Sequence, residues 1–226
     1  AELKIFMTAS LEVRAKRRLG KGTLAARLQV DANVNGRRLR ANYESCPMYP
    51  FVRLIKELVV HRKAPALDIL GTHVSHHRCW PHDIDNFLEM NNGRILTILD
   101  LGRTGLAQRT GLLRVLRAQK WGLTMAGVSV RYRKRITPFV KFKIVSRAIG
   151  WDDRFFYVDQ SIWIGDECAT QALYRSAVVQ KGRIVAPARV FEQIGHHGTS
   201  PELPLWVKNW IGADATRPWP PERKDN

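Results

Sequence analysis

Apolar residues recur at helical spacing between Tyr49 and Lys63, where Phe51, Leu54, Ile55, Leu58 and Val59 share a face and Arg53, Lys56, Arg62 and Lys63 lie largely off it. The pattern predicts an amphipathic helix that stops near Pro65. His73 to Trp80 has strand character. A second helix is expected from about Asn92 to about Arg114, with Ile95, Ile98, Leu99, Gly102, Leu106 and Leu113 spreading apolar surface around most of its circumference. Such a helix must be covered on most sides, and Gly102 and Gly105 let neighbouring backbone come close. Four strand-like runs follow at hairpin spacing: Thr124 to Arg135, Phe139 to Ala148, Phe155 to Gly165 and Ala169 to Val179. One buried helix followed by successive antiparallel strands predicts an α+β domain whose sheet curls around a helix. After Ser200, a short helix with Pro201 at its first position would dock Leu205, Trp206, Val207 and Trp210 on the body. The last residues, RPWPPERKDN, read as extended chain.

Composition changes this picture at the ends. Residues 1–47 carry ten Lys/Arg against four Asp/Glu, no sustained apolar period, and a basic run from Arg14 to Lys21. Little fixed structure is expected there. This arm reads as a genuine extension, a targeting segment or a start site placed too early; Met48 lies just before the first helix and favours the last. An organellar leader is weakened by Glu12, Asp31 and Glu44. The expected domain is therefore 48–212, with 213–226 as a tail. The 45% hydrophobic content of the whole chain supports one core, and its apolar runs are too short to cross a bilayer. Cys46, Cys79 and Cys168 are odd in number and widely spaced, so reduced thiols and a soluble, cytoplasmic protein are expected. The net charge of +17 points to a polyanionic partner: nucleic acid, acidic lipid or a phosphate-rich ligand.

The candidate chemistry lies in Trp80 to Arg103, WPHDIDNFLEMNNGRILTILDLGR. Asp83 and Asp85 stand on a turn that runs into an apolar helix. A helix start exposes backbone N–H groups with partial positive charge, so a substrate oxygen can bind there while a carboxylate works on the adjoining carbon. An ordinary aspartate, with a pKa of about 4, is ionised at neutral pH and can serve as nucleophile or as general base on water. The bland alternative is that both aspartates cap turns; Asn91, Asn92 and the apolar helix shift the balance toward a site. A second feature points to an anion. Arg131, Arg133 and Arg135 alternate on one strand face, and Lys141 and Lys143 alternate on the strand expected to pair with it, so their mutual repulsion calls for a polyanion or solvent.

The segment resembles the active-site stretch of hotdog-fold acyl-CoA thioesterases of the hydroxybenzoyl-CoA thioesterase type, which run roughly Asp-x-Asp-x-x-x-His-x-Asn-Asn-x-Arg. The resemblance implies a hotdog fold, an antiparallel sheet curled around a central helix, and hydrolysis of an acyl-CoA thioester to free acid and coenzyme A. It further implies Asp85 as the catalytic carboxylate, backbone N–H groups near Asn92 as the polarising donors, and Asn91 orienting water or the turn. Asp83, Glu89 and Gly93 join the substrate-binding set, with Arg131, Arg133 and Arg135 for the phosphates of coenzyme A. The family histidine is replaced by Glu89, which marks a departure from the pattern. Asp100 and Arg103 match later family positions, and an i, i+3 ion pair is the expected role of Arg103. Family members pair through their hotdog domains, so a homodimer or dimer of dimers is implied, with no cofactor and no metal.

Competing readings are a catalytically silent acyl-CoA-binding protein and a basic nucleic-acid-binding module. The second lacks a recognition helix, zinc finger or RNA-binding signature, so no nucleic acid partner is expected. His73, His76, His77, Cys79 and His82 resemble a metal cluster by count, yet on a strand His73, His77 and Cys79 face one way and His76 the other, a spacing poorly matched to tetrahedral zinc. Gly20-Lys21-Gly22-Thr23 is not a phosphate loop, and no Gly-x-Ser-x-Gly elbow is present. The basic helix after Tyr49 also allows weak contact with an anionic membrane surface, beside its expected packing on the domain.

Overall fold

Helix α2 (Asn92–Arg109) is the axis about which the chain is built. Asn91 caps it, its Oδ1 accepting the N–H groups of Gly93 at 2.9 Å and Arg94 at 3.3 Å. The helix buries Ile95, Ile98, Leu99, Leu101, Leu106 and Ala107, on most of its sides. Two glycines admit the surrounding layers: a Cβ at Gly102 would sit 2.7 Å from Ser146 Oγ, and one at Gly105 would sit 2.3 Å from His73 Nε2. Close approach there is by side chains. The helix ends earlier than its apolar pattern suggests, because Gly111 adopts a left-handed φ of 80° and redirects the chain into a separate helix, α3 (Leu112–Gln119).

The computed structural model describes residues 49–223, preceded by a backbone pairing of Asn33–Val34 with Arg37–Arg38. The rest of the expected arm, including Gly20 to Thr23 and Cys46, lies outside the described residues. Strands β1 (Thr72–Arg78), β2 (Gly122–Tyr132), β3 (Lys141–Trp151), β4 (Phe156–Ile164) and β5 (Glu167–Gln180) form one antiparallel sheet in the order β1-β3-β4-β5-β2. A short β6 (Arg183–Val185) pairs with β5 beyond the end of β4. The sheet curls around α2, the hotdog architecture. Gln160 on β4 reaches across to donate to Leu99 O at 3.0 Å and to Ser146 Oγ at 2.7 Å. Alternation along the strands separates two cores. Tyr174 and Ala172 face α2, whereas Tyr157 and Leu173 face outward and are covered by α5 (Leu205–Ala215) through Val207, with Trp210 at the edge.

The strand order removes one expectation. The strand bearing Arg131 pairs with β5, with Arg131 opposite Gln171, while Lys141 and Lys143 lie on β3 opposite Arg78 and His76 of β1. Arg131 therefore does not face Lys141 or Lys143 across a ladder. Arg133 and Arg135 also fall beyond the end of β2, in the connection to β3. The tail helix begins at Leu205, because Pro201 and Pro204 hold the preceding chain extended. An additional helix, α4 (Pro187–Ile194), carries Phe191 against Trp151 and Phe156.

Helix α1 (Phe51–Val60) lies over α2. Its predicted apolar face is split. Leu54 and Glu57 are buried, whereas Ile55 and Val59 are 45% and 65% exposed. The rotation brings Arg53 and Glu57 inward, where each finds polar partners that hydrophobic periodicity cannot report.

Candidate active site

The chain from Trp80 to Asn92 forms a short loop pinned at several points. Pro81–Asp83 makes one 3-10 turn, Ile84 bridges Met90, Asp85 N–H donates to Glu89 O at 2.9 Å, and Asn91 N–H donates to Asp83 O at 2.9 Å. These bonds place Asp85 and the start of α2 on adjoining stems of one loop. Leu88, at the tip, takes a left-handed φ of 58°, a conformation that closes the turn at some steric cost.

The two aspartates are in different environments. Asp83 has no exposed side-chain surface; its Oδ2 accepts from Arg53 Nη2 at 2.6 Å and Trp80 N–H at 2.9 Å, and its Oδ1 lies 3.3 Å from Arg94 Nε. It ties α1, the turn and α2 together, and the geometry makes it an anchor rather than a group facing substrate. Asp85 is half-buried, and its Oδ1 accepts the Phe87 N–H at 2.9 Å in an Asx turn. That bond orients the carboxylate while leaving Oδ2 without a partner among the described residues.

The helix start is narrower than the sequence suggests. Asn91 Oδ1 consumes the Gly93 and Arg94 N–H groups, and Ile95 N–H bonds to Asn91 O. Among the described residues, the Asn92 N–H is the helix-start donor left over. Asn92 is an exposed residue at the same end of the loop as Asp85. Gly93 contributes its N–H to the cap. Glu89 pairs with Arg135, whose Nε lies 2.8 Å from its Oε2, so the acidic replacement of the family histidine is charge-compensated locally. Arg131 and Arg133 are exposed.

An apolar rim surrounds this end of the molecule. Trp80, Phe87, Leu88 and Phe139 are all exposed, with Trp80 and Phe139 in an edge-to-face contact of 6.5 Å and Arg78 over the Trp80 ring. Toward the other end of α2 lie an apolar cavity of about 40 Å³ beside Leu106, Met125 and Phe191 and an open groove of about 400 Å³ between Arg109 and His196.

Sequence reasoning missed Arg53, Gln160 and Tyr174. Arg103 does pair with Asp100, as expected, and it also donates to Gln160 Oε1 at 2.7 Å and stacks 3.7 Å from the Tyr174 ring centroid. Burial lowers the pKa of Arg103 and raises that of the Tyr174 hydroxyl. The contacts to Gln160 and Tyr174 join α2 to strands far away in sequence, so no local motif announces them.

Comparison with known proteins places this geometry. Residues 79–211, more than half of the chain, match the family described as the thioesterase-like superfamily. Protein THEM6 of Xenopus laevis is 29% identical over 178 residues, 76% of this chain and 84% of that one. Its Drosophila melanogaster counterpart is 30% identical over 60% of this chain and 69% of its own. Among solved structures, the YbaW probable thioesterase of Escherichia coli superposes with a TM-score of 0.50 at 15% identity, covering 54% of this chain and 98% of that one. The hypothetical protein TT1821 of Thermus thermophilus gives the same TM-score at 11% identity, covering 54% and 97%. At such identities the structures speak for the fold alone. The curled sheet, the capped central helix and the matched residues together show that this chain belongs to the thioesterase-like superfamily, with a hotdog fold.

Proposed function

We propose that the protein is an acyl-CoA thioesterase, hydrolysing a thioester to a carboxylic acid and coenzyme A. One observation carries the reading: a half-buried carboxylate, Asp85, and a free helix-start donor, the Asn92 N–H, share one hydrogen-bonded loop. With the thioester oxygen on the Asn92 N–H, the carbonyl carbon is electrophilic and presented to Asp85. As nucleophile, Asp85 forms an acyl anhydride and expels the coenzyme A thiolate, which takes a proton; water then cleaves the anhydride. As general base, it takes the proton of a water that attacks the same carbon. Arg131 and Arg133 serve the coenzyme A phosphates, and Arg135, held by Glu89, borders the thioester.

The apolar rim of Trp80, Phe87, Leu88 and Phe139 supports a site completed by a second copy of the chain. The edge strand β2 supports the same reading, since Leu123, Val128 and Tyr132 are each more than a third exposed along it. A homodimer covering both surfaces would enclose the acyl group. The exposed aliphatic residues of α1, Val52, Ile55 and Val59, flanked by Lys56, Arg62 and Lys63, suit contact with an anionic membrane surface.

The test is Asp85→Asn against a panel of acyl-CoA chain lengths, following thiol release and, separately, ligand binding. The variant is expected to bind acyl-CoA and to lose turnover by about 10²–10⁴-fold. Retained turnover rejects the role of Asp85. Binding without turnover in the native chain identifies a silent acyl-CoA-binding protein, and a salt-sensitive shift with nucleic acid in place of acyl-CoA binding identifies the other class.

A further inference from the structure

Helix α1 is turned in an unexpected sense. It exposes Ile55 and Val59 and buries the carboxylate of Glu57, which is 1% exposed. Burying an ionised carboxylate is costly unless its charge is answered. The surroundings of Glu57 answer it incompletely. Its Oε1 is 3.5 Å from Lys56 Nζ, but that ammonium is half-exposed and donates to His76 O at 3.0 Å. His77 Nε2, at 3.8 Å, is committed to Ser75 Oγ at 2.9 Å. Glu57 Oε2 is fully buried without a hydrogen-bond partner, and so is His73 Nε2 on the facing strand β1. Two buried polar atoms left over in one place need an explanation.

They have a third neighbour. His61, the C-cap residue of the same helix, follows Glu57 by four positions, so its ring stacks over the same face, with Nε2 3.2 Å from Glu57 Oε2. Its ring meets that of His73 edge to face, with centroids 4.5 Å apart. One donor atom from each of Glu57, His61 and His73 lies within 4.8 Å of the others. In a tetrahedral site with bonds of about 2.0–2.1 Å, donors stand about 3.4 Å apart. The Glu57–His61 pair already has this spacing. The remaining separations close by small side-chain rotations, for which His61, with its side chain 16% exposed, has room on the solvent side.

We infer that Glu57, His61 and His73 form a three-ligand site for a divalent transition-metal ion of the Zn²⁺ class, which fastens α1 to β1. Two imidazoles and one carboxylate are a donor set for zinc and its neighbours, and poor for Mg²⁺ or Ca²⁺, which require more oxygen. Burial keeps His73 neutral, with its pKa lowered to about 4, the protonation state in which imidazole is a ligand. The cationic neighbours are Lys56 and Arg109; Arg109 Nη1 is 3.4 Å from His73 Nδ1, and its Nε donates to Pro65 O at 3.1 Å. An ion bound here would have His73 Nε2, the nitrogen without a partner, as the available ligand atom. Of the serial histidines of the strand, His73 alone joins this site; α1 and its C-cap residue supply the other two donors. Arg53, one turn before Glu57, grips Asp83, so the ion would also steady the loop that holds Asp85.

The experiment uses the full chain, stripped with chelator and titrated with Zn²⁺ by calorimetry and with Co²⁺ by its visible ligand-field absorption. One equivalent is expected, with a higher melting temperature in Zn²⁺ than in chelator. His61→Ala and Glu57→Gln should each weaken Zn²⁺ binding by at least about a hundredfold, while His196→Ala leaves it unchanged. His61 is partly exposed, so its alanine variant keeps the fold if the Glu57 variant does not. The absence of stoichiometric binding by the native chain, or undiminished binding by the folded His61→Ala variant, overturns the assignment.

Discussion

The two aspartates of the loop should separate cleanly into a stabilising group and a reacting one, and Asp83→Asn tests the first. The change keeps the shape of the side chain and removes a charge that has no exposed surface. It leaves Arg53 and Arg94, with side chains 12% and 7% exposed, facing a neutral amide. At an effective dielectric of about 20, a charge pair about 4 Å apart is worth about 4 kcal/mol before desolvation is subtracted. Two such pairs share Asp83, and desolvation offsets much of their gross attraction. Breaking a buried pair by removing one partner typically costs about 3–5 kcal/mol, because the stranded charge stays desolvated. For a domain of this size that lowers the melting temperature by roughly 6–20 °C. Asp85→Asn behaves differently: the amide oxygen retains the bond from Phe87 N–H, and a half-exposed site without an ion pair changes stability by only about 0.5 kcal/mol. Thermal and urea unfolding of the two variants side by side decide the matter. An Asp83→Asn melting point within about 2 °C of the native value, or equal destabilisation by both changes, refutes the division of labour.

Other consequences follow from the packing. Gly105→Ala places a methyl 2.3 Å from Nε2 of a ring with no exposed surface, so the gain in helix propensity of up to about 1 kcal/mol is outweighed by an overpacking cost of about 1–3 kcal/mol. Gly212→Ala in α5, where a new Cβ meets nothing within 4 Å, should stabilise by about 0.4–1 kcal/mol, and urea midpoints that rank the two variants in the opposite order contradict the packing. Burial, assisted by the charge of Asp83, raises the Cys79 thiol to about 11, and the residue is 0% exposed. At pH 8 only about one thiol in a thousand is then a thiolate. Iodoacetamide should modify Cys79 only slowly in the native chain, faster as pH rises, and fully only in denaturant; mass mapping that finds native labelling as fast as unfolded rejects this.

What could be read from the sequence was what is local. The start of α2 is legible because Asn91 and Gly93 act within three residues, and the strands are legible because their alternation is a property of each strand alone. Sheet order is not local. The runs containing Arg131 and Lys141 are consecutive in the chain, which invites pairing them as a hairpin. They are separated instead by β4 and β5, because β5 returns to pair with β2 and so closes the curl around α2. The same distance in sequence hides the meaning of Asp83 and Glu57. Two carboxylates on one turn look alike until Arg53, 30 residues earlier, is brought against one of them. A glutamate among Leu54, Ile55 and Leu58 reads as the polar edge of an amphipathic helix until it is seen to face two histidines. Hydrophobic periodicity assigns the inside of α1 to whichever stripe is most apolar, and here buried charge overrules it. The helix turns Arg53 and Glu57 inward, Arg53 onto Asp83 and Glu57 beside His61 and His73. The loop carrying Asp85 is therefore held in part from outside itself, through Arg53 on Asp83, and a change in α1 that spares every residue of the loop should still be felt there.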